Sequence, residues 1–376
     1  MNPIRHAFLL ANDIGYRALR PLLFRQSAQD AHERVLTLLQ DADDTPHLLN
    51  FAALSHRIAF QQTLITVGGT TLIHPFILAA GFVKGKGFAD ETRAIEAVES
   101  GENIIPGWRA MPQAVGLVEY GSYTRQPRLG NDGTVIWRDV ATRSTQNRIG
   151  LKNPGAVASA MFLQKHLIDL PQQFGINIAV SPGVDDRQQQ ITDIREALQA
   201  FLSRAVVPNW FTLNISCPNT EDDPSGNQTD ALTRALCQNA IATIEEAGYR
   251  VPLWVKISPR LARSQYAILM RAFAETGVQA VIATNTLGQP SPDNPAIYAG
   301  VGGGRLYQHA LQTVDHLLDE RYKHDYPMDI IGCGGIIDRD HYLTYKARGI
   351  TVVQYWSALI YRGLFAAALI GGGSHE

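Results

Sequence analysis

The chain has 376 residues, 45% hydrophobic and 18% charged, with 33 basic against 35 acidic side chains. That apolar share supports a sizeable core and excludes wholesale disorder, and a formal charge of -2 excludes the basic stripe of a typical nucleic-acid binder, so no nucleic-acid partner is expected. Cys217, Cys237 and Cys333 are too few and too scattered for a disulfide framework or a CxxC metal site; a reducing compartment and no metal are expected.

Residues 1–40 read as two helices. Ile14, Leu19, Leu22, Leu23 and Phe24 alternate with Arg5, Arg17, Arg20 and Arg25, and Ser27 is placed to cap a second helix from Ala28 to Leu39. No run of about 18 uncharged apolar residues appears, so no spanning helix is expected. Phe8-Leu9-Leu10-Ala11 is followed at once by Asn12 and Asp13, which makes a poor signal peptide. A basic, apolar helix pair of this kind either lies on a membrane surface or packs on the main domain.

Next, Thr63–Val67, Gly68-Gly69 and Thr70–Ile73 predict a β-hairpin with a two-residue turn. Short apolar runs then recur at 76–80, 115–120, 176–180, 210–215, 253–257, 280–283, 329–331 and 352–355. Helical stretches separate them, among them 156–168, 191–202, 231–247, 265–276 and 306–318. Eight strands alternating with helices specify a parallel sheet closed as a (β/α)8 TIM barrel, and no GxGxxG follows the first strand to favour an open doubly wound sheet. The predicted organisation is a helical segment over 1–45, the barrel over 46–370 with the hairpin at its bottom, and a flexible glycine-rich tail over 371–376.

In such a barrel the functional residues belong at the carboxyl ends of the strands. Polar residues gather there: Lys84 after the first strand, Ser122 after the second, Asn214, Cys217 and Asn219 at and after the fourth, and Lys256 in the fifth. Thr284-Asn285-Thr286 follow the sixth and Trp356-Ser357 the eighth. Asn177 lies within the third strand and Asn147 in the long loop after the second. Asparagine offers a donor and an acceptor without charge, which suits a flat imide or amide ring. Gly300–Gly304 and Gly332–Gly335, after strands six and seven, can aim backbone N–H groups at a phosphate.

At Asn214-Ile215-Ser216-Cys217-Pro218-Asn219-Thr220 the sequence resembles the dihydroorotate dehydrogenases. Leu78–Gly81, Asn147–Gly150, Val255–Ile257, Ala283–Thr286 and Ile331–Gly335 extend the resemblance, in the family's order, over residues 15 to 365. Ala31-His32-Glu33 after the basic helix is similar to the membrane-associated, quinone-dependent class, in which two N-terminal helices form a quinone tunnel. The resemblance implies FMN as cofactor, held by Ala80, Gly81, Lys84, Ser122, Asn177, Asn214, Lys256, Thr284, Gly304, Gly335, Trp356 and Ser357. It implies dihydroorotate and orotate held by Lys84, Asn147, Asn214, Asn219, Asn285 and Thr286, with Cys217 and Lys84 catalytic and Arg138 on the quinone path. It also implies a quinone acceptor, a role in pyrimidine biosynthesis, and peripheral membrane attachment, in a bacterium at the cytoplasmic face of the inner membrane.

The sequence departs from the family in four places. Cys217 stands where quinone-reducing members have serine and the soluble class has cysteine. Glu221-Asp222-Asp223-Pro224 replaces Pro-Gly-Leu-Arg, and Ala179-Val180-Ser181-Pro182 replaces Gly-Lys-Asn-Lys. Val83 replaces an aspartate, and Glu102–Met111 reads as an insertion. Two of these changes, at Glu221–Pro224 and at Ala179–Pro182, remove or oppose the positive charge that a carboxylate substrate wants. They leave open a paralogue acting on another dihydropyrimidine, or a soluble-type enzyme using fumarate.

Overall fold

The computed structural model describes residues 3–215 and 230–372. Three helices come first: α1 (Pro3–Leu23), α2 (Ala28–Asp43) and α3 (Pro46–Ala59). Ser27 caps α2 as predicted, its hydroxyl accepting from Asp30 N at 3.0 Å. The third helix is additional to the predicted pair and runs past residue 45. Pro46 opens it, at a position that needs no amide donor, and Leu49 and Ala59 are its buried apolar contacts. Long-range bonds tie this segment down: Arg5 Nε donates to Ala59 O at 2.8 Å, Tyr16 Oη to Ile360 O at 2.6 Å and Arg20 Nη1 to Tyr361 O at 2.8 Å. Buried Asp43 accepts from Asn103 Nδ2 and from the amides of Gly107, Arg109 and Ala110, so the Glu102–Met111 stretch is the seat of α2.

The hairpin forms as predicted, with β1 (Ile65–Val67) antiparallel to β2 (Thr70–Leu72). Gly68 and Gly69 take φ of +51° and +81°, the left-handed pair that a two-residue turn requires. The hairpin closes the amino-terminal end of the barrel. Trp254 Nε1 donates to Gly68 O at 2.8 Å, and Gly68 N donates to Asp329 Oδ2 at 2.7 Å.

The barrel begins with β3 (Phe76–Leu78), then α4 (Glu91–Glu99), α5 (Ala110–Val115) and β4 (Val118–Tyr123). An excursion of β5 (Ile136–Asp139) and β6 (Ser144–Asn147) precedes α6 (Ala156–Lys165), β7 (Phe174–Ala179), α7 (Arg187–Leu202) and β8 (Trp210–Asn214). The chain continues through α8 (Asp230–Glu246), β9 (Leu253–Ile257), α9 (Arg263–Thr276) and β10 (Ala280–Ala283). A second excursion, β11 (Leu287–Pro290) and β12 (Tyr298–Gly303), leads to α10 (Gly304–His324) and β13 (Asp329–Cys333). Last come α11 (Arg339–Ala347), β14 (Val353–Tyr355), α12 (Ser357–Arg362) and α13 (Ala366–Gly372).

Strands β3, β4, β7, β8, β9, β10, β13 and β14 close into one parallel barrel, and they are the eight apolar runs read from the sequence. The two excursions, read as loops, pair into a four-stranded antiparallel sheet in the order β11-β12-β6-β5. The predicted tail is shortened: α13 carries helix through Gly372, because Arg339 Nη1 donates to Gly371 O at 3.1 Å and the Phe76 ring packs beside Gly371.

Strand alternation sets the interior. Trp210, Thr212 and Asn214 on β8, and Trp254 and Lys256 on β9, point to the barrel axis, while Phe211, Leu213, Val255 and Ile257 join the main core shared with the helices. The Trp210 and Trp254 rings stack with centroids 4.7 Å apart, and with Leu72, Ile77, Ile282 and Ile331 they make an apolar floor.

Candidate active site

Above that floor sits a fully buried carboxylate. Glu119, on β4, accepts from Asn177 Nδ2 at 2.9 Å, Trp210 Nε1 at 2.9 Å, Thr212 Oγ1 at 2.7 Å and Gln354 Nε2 at 3.0 Å. A polar group taken out of water must find such partners or cost several kcal/mol, and here three strands, β7, β8 and β14, supply four donors. Gln354 Oε1 accepts in turn from Lys256 Nζ at 3.0 Å. The Lys256 ammonium also bonds the Cys333 thiol, which burial pushes up from its ordinary value.

The next layer is amide. Asn214 Nδ2 donates to Ser122 Oγ at 3.3 Å, and Asn214 Oδ1 accepts from Asn285 Nδ2 at 3.3 Å. Asn285 is itself fixed at the strand end, its N–H on Ile257 O and its Oδ1 receiving the Thr286 amide, both at 2.8 Å. These side chains line one cavity at the carboxyl end of the barrel, together with Ala80, Gly81, Lys84, Asn147, Asn177, Lys256 and Thr284. Of the two neighbouring lysines, Lys84 is buried against the cavity, whereas Lys86 reaches outward to Glu102 at 2.7 Å.

The wall formed by the second excursion and the last two strands is a glycine cradle. Gly302, Gly303, Gly334, Gly335 and Ser357 line it. Gly303 has φ +84°, and a Cβ there would lie 2.4 Å from Arg143 O; Gly335 has φ +71°, with Tyr307 Cβ equally close. Only glycine lets the backbone turn there without a side-chain clash, and glycine-rich turns suit a phosphate. Gly304, expected in this role, does not line the cavity: it begins α10 and packs against Thr142 O, and Gly302 and Gly303 occupy the wall instead.

The cavity suits a flavin mononucleotide. Ile136, Ile149, Leu151 and Trp356 give apolar surface for a flat ring, and Gly81, at φ +108°, lies beside the Trp356 indole with space where a side chain would stand. Asn177 Oδ1 is buried at the wall with no hydrogen-bond partner among the described residues. Its orientation is set because Nδ2 must face Glu119, so it presents an acceptor to a ring N–H.

Cys217 and Asn219 lie outside the described residues. Arg138 does not line the cavity. It sits on β5 and donates to Gln26 O, its guanidinium 4.3 Å from the centroid of the Phe24 ring, which meets Tyr361 edge-on. His32 on α2 contacts the Phe82 ring; burial, then Lys84 and Lys152, lower its pKa to about 4, so the imidazole is neutral near pH 7.

Gln146 and Gln354, which line the cavity, and Glu119 beneath it are residues that the sequence expectations did not single out. For two of them a signal exists, since Glu119 and Gln354 are lone polar residues at the centre of apolar strand runs.

The family model described as dihydroorotate dehydrogenase matches residues 63–373. A dihydroorotate dehydrogenase (quinone) of Chromobacterium violaceum is 30% identical over 93% of this chain and 94% of its own length. The enzyme of the same name from Sphingopyxis alaskensis is 29% identical over 97% of this chain and 93% of its own length. Among solved structures, dihydroorotate dehydrogenase from Eimeria tenella in complex with ferulenol superposes with a TM-score of 0.73 at 21% identity, covering 94% of this chain and 92% of that one. That likeness establishes the shared fold.

Proposed function

We infer the function from one premise: the chain belongs to the dihydroorotate dehydrogenase family, of the quinone-dependent type. It oxidises dihydroorotate to orotate, with FMN as its flavin and a quinone as electron acceptor. The observation that carries the reading is the meeting of Lys84, Asn147, Asn214 and Asn285 with a glycine cradle in one cavity at the carboxyl end of the barrel.

When bound, FMN supplies a two-electron acceptor for hydride and a donor to the quinone. The residues around it divide the remaining work. Gly302, Gly303, Gly334, Gly335 and Ser357 hold the phosphate, and Asn177, Ser122 and Lys256 hold the ring. Asn147, Asn214, Asn285 and Thr286 match the donors and acceptors of the pyrimidine, while Lys84 balances its carboxylate. Cys217 Sγ takes the proton from the carbon beside the substrate carbonyl, and Lys256 meets the negative charge that reduction brings.

We place the acceptor side on the helical segment. Ile4, Ile14 and Leu22 of α1, Leu38 of α2, and Phe51 and Leu54 of α3 are each more than half exposed, an apolar surface fit for the edge of a bilayer. Among the described residues no helix is long and apolar enough to cross a membrane, so the attachment proposed is peripheral. The quinone route runs from that surface past Phe24, Arg138 and Tyr361.

Cysteine at position 217 favours a second reading, a soluble acceptor such as fumarate. One assay separates the two: FMN-loaded protein is given dihydroorotate with either decylubiquinone or fumarate. Orotate formation with the quinone alone supports the quinone reading, and turnover with fumarate alone would replace it.

A further inference from the structure

Two hydroxyls meet at the glycine cradle. Thr145, on β6, and Ser357, at the start of α12, both line the cavity, and their oxygens lie 2.8 Å apart. They are 6% and 7% exposed, and among the described residues neither hydroxyl has another hydrogen-bond partner. Both stand over one bare stretch of backbone: a Cβ at Gly302 would lie 3.3 Å from Ser357 Oγ and 3.6 Å from Thr145 Oγ1. The register explains the meeting. Thr145 pairs with Gly302 of β12 in the outer antiparallel sheet, and Ser357 arrives from β14 of the barrel.

A hydroxyl carries one proton and can accept in two directions. The pair therefore holds two protons, uses one in its own bond and leaves the other for the cavity. By itself that bond could run either way. An anion removes the freedom, because it only accepts: the hydroxyl that touches it must donate to it, and must then accept from its partner. Barrels hold phosphate near their last two strands, and Ser357 follows the eighth, whereas Thr145 faces it from outside the barrel.

We propose that Thr145 is a positioning residue for the cofactor phosphate: its hydroxyl donates to Ser357 Oγ and so turns the single Ser357 proton toward the anion. This inference rests on the FMN reading and deepens it. Without the Thr145 hydroxyl, the Ser357 proton is free to rotate away and must be ordered when the phosphate binds. The arrangement touches the phosphate end alone, so its effect is confined to a flavin that carries one.

The test compares FMN with riboflavin, which has the same ring and no phosphate, in fluorescence titrations of flavin-stripped full-length protein. Thr145→Val keeps the shape and removes the hydroxyl. It is expected to raise the FMN dissociation constant by roughly fivefold while moving that of riboflavin by less than about twofold. Thr145→Ser, which keeps the hydroxyl, is expected to bind FMN as the parent does. In a Ser357→Ala background, Thr145→Val is expected to add nothing, since the proton it steers is gone. Thr145→Ala carries the test if Thr145→Val does not fold. An unchanged FMN constant, a loss equally large in Thr145→Ser, or a loss that persists in full without Ser357 overturns the proposal. Equal losses with both flavins, the mark of a purely structural role, overturn it as well. A parent that binds FMN no more tightly than riboflavin overturns it and leaves the flavin reading standing, whereas a parent that binds neither flavin overturns both.

Discussion

The barrel interior and the helical segment invert each other's chemistry. Inside the barrel, Glu119, Asn177, Thr212, Lys256 and Gln354 are polar or charged groups almost wholly removed from water, linked to one another by hydrogen bonds. On α1 to α3, Ile4, Leu38 and Phe51 are apolar groups at 70%, 66% and 69% exposure. Scattered surface leucines are ordinary, but a buried ionised network and a set of exposed large hydrophobes on three consecutive helices are each costly arrangements. Costs of this kind point to use: the barrel's polar interior serves a polar ring chemistry, and the apolar outside serves an apolar acceptor. The two regions meet where α2 abuts the Lys84 edge of the cavity and where Arg138 holds the turn between α1 and α2.

The sharpest way to break that division is to remove the base. Cys217→Ala is expected to keep FMN while slowing flavin reduction by dihydroorotate by about 10²-fold or more, measured by anaerobic rapid mixing. Near-normal reduction would mean that proton removal lies elsewhere.

A middle-sized effect tests the helical half. Replacing Ile14, Leu38 and Phe51 together with glutamate should cut turnover with a long-chain quinone in lipid vesicles by roughly tenfold or more, through lost apolar contact and added charge. Turnover with a short, water-soluble quinone should stay unchanged. Equal loss with both acceptors would show that the face serves the fold and not the membrane.

The smallest effect concerns the seam. His74, just before β3, stacks on Phe60 at 5.1 Å, and Phe60 stacks on His56 of α3 at 4.3 Å. Burial, aided by His56, depresses the His74 pKa to about 3, so the folded state resists its protonation. The stability this contributes is complete above the unfolded value near 6.5 and is lost as pH falls from there toward 3. His74→Asn keeps an acceptor for the Phe76 amide but cannot take on a charge. It should shrink the fall in melting temperature between pH 7 and 4.5 by a few degrees, and an unchanged fall would remove His74 from the acid response.

Much of this was legible in the sequence. The eight strands announced themselves because each is a short apolar run bounded by turn residues, and the cavity because asparagines and glycines recur at the same end of those runs. The sheet of β5, β6, β11 and β12 did not, since Ser144–Asn147 and Leu287–Pro290 carry no alternation and pair only through tertiary contact. Helix α3 escaped although Thr45-Pro46 is a recognisable helix start. Glu119 and Gln354 escaped for a different reason: their partners come from other strands, and no spacing along the chain reveals which side chains share the barrel axis. Gly304 misled because neighbouring glycines are interchangeable in sequence, while the backbone decides which of them faces the cavity.

The most direct test of the central claim needs no variant. FMN-loaded protein is made anaerobic and titrated with dihydroorotate in the absence of any acceptor, while the flavin absorbance is followed. The account predicts that the flavin bands bleach and that orotate appears in stoichiometric amount. Bands that persist at saturating dihydroorotate, in protein whose flavin dithionite still bleaches, would contradict it.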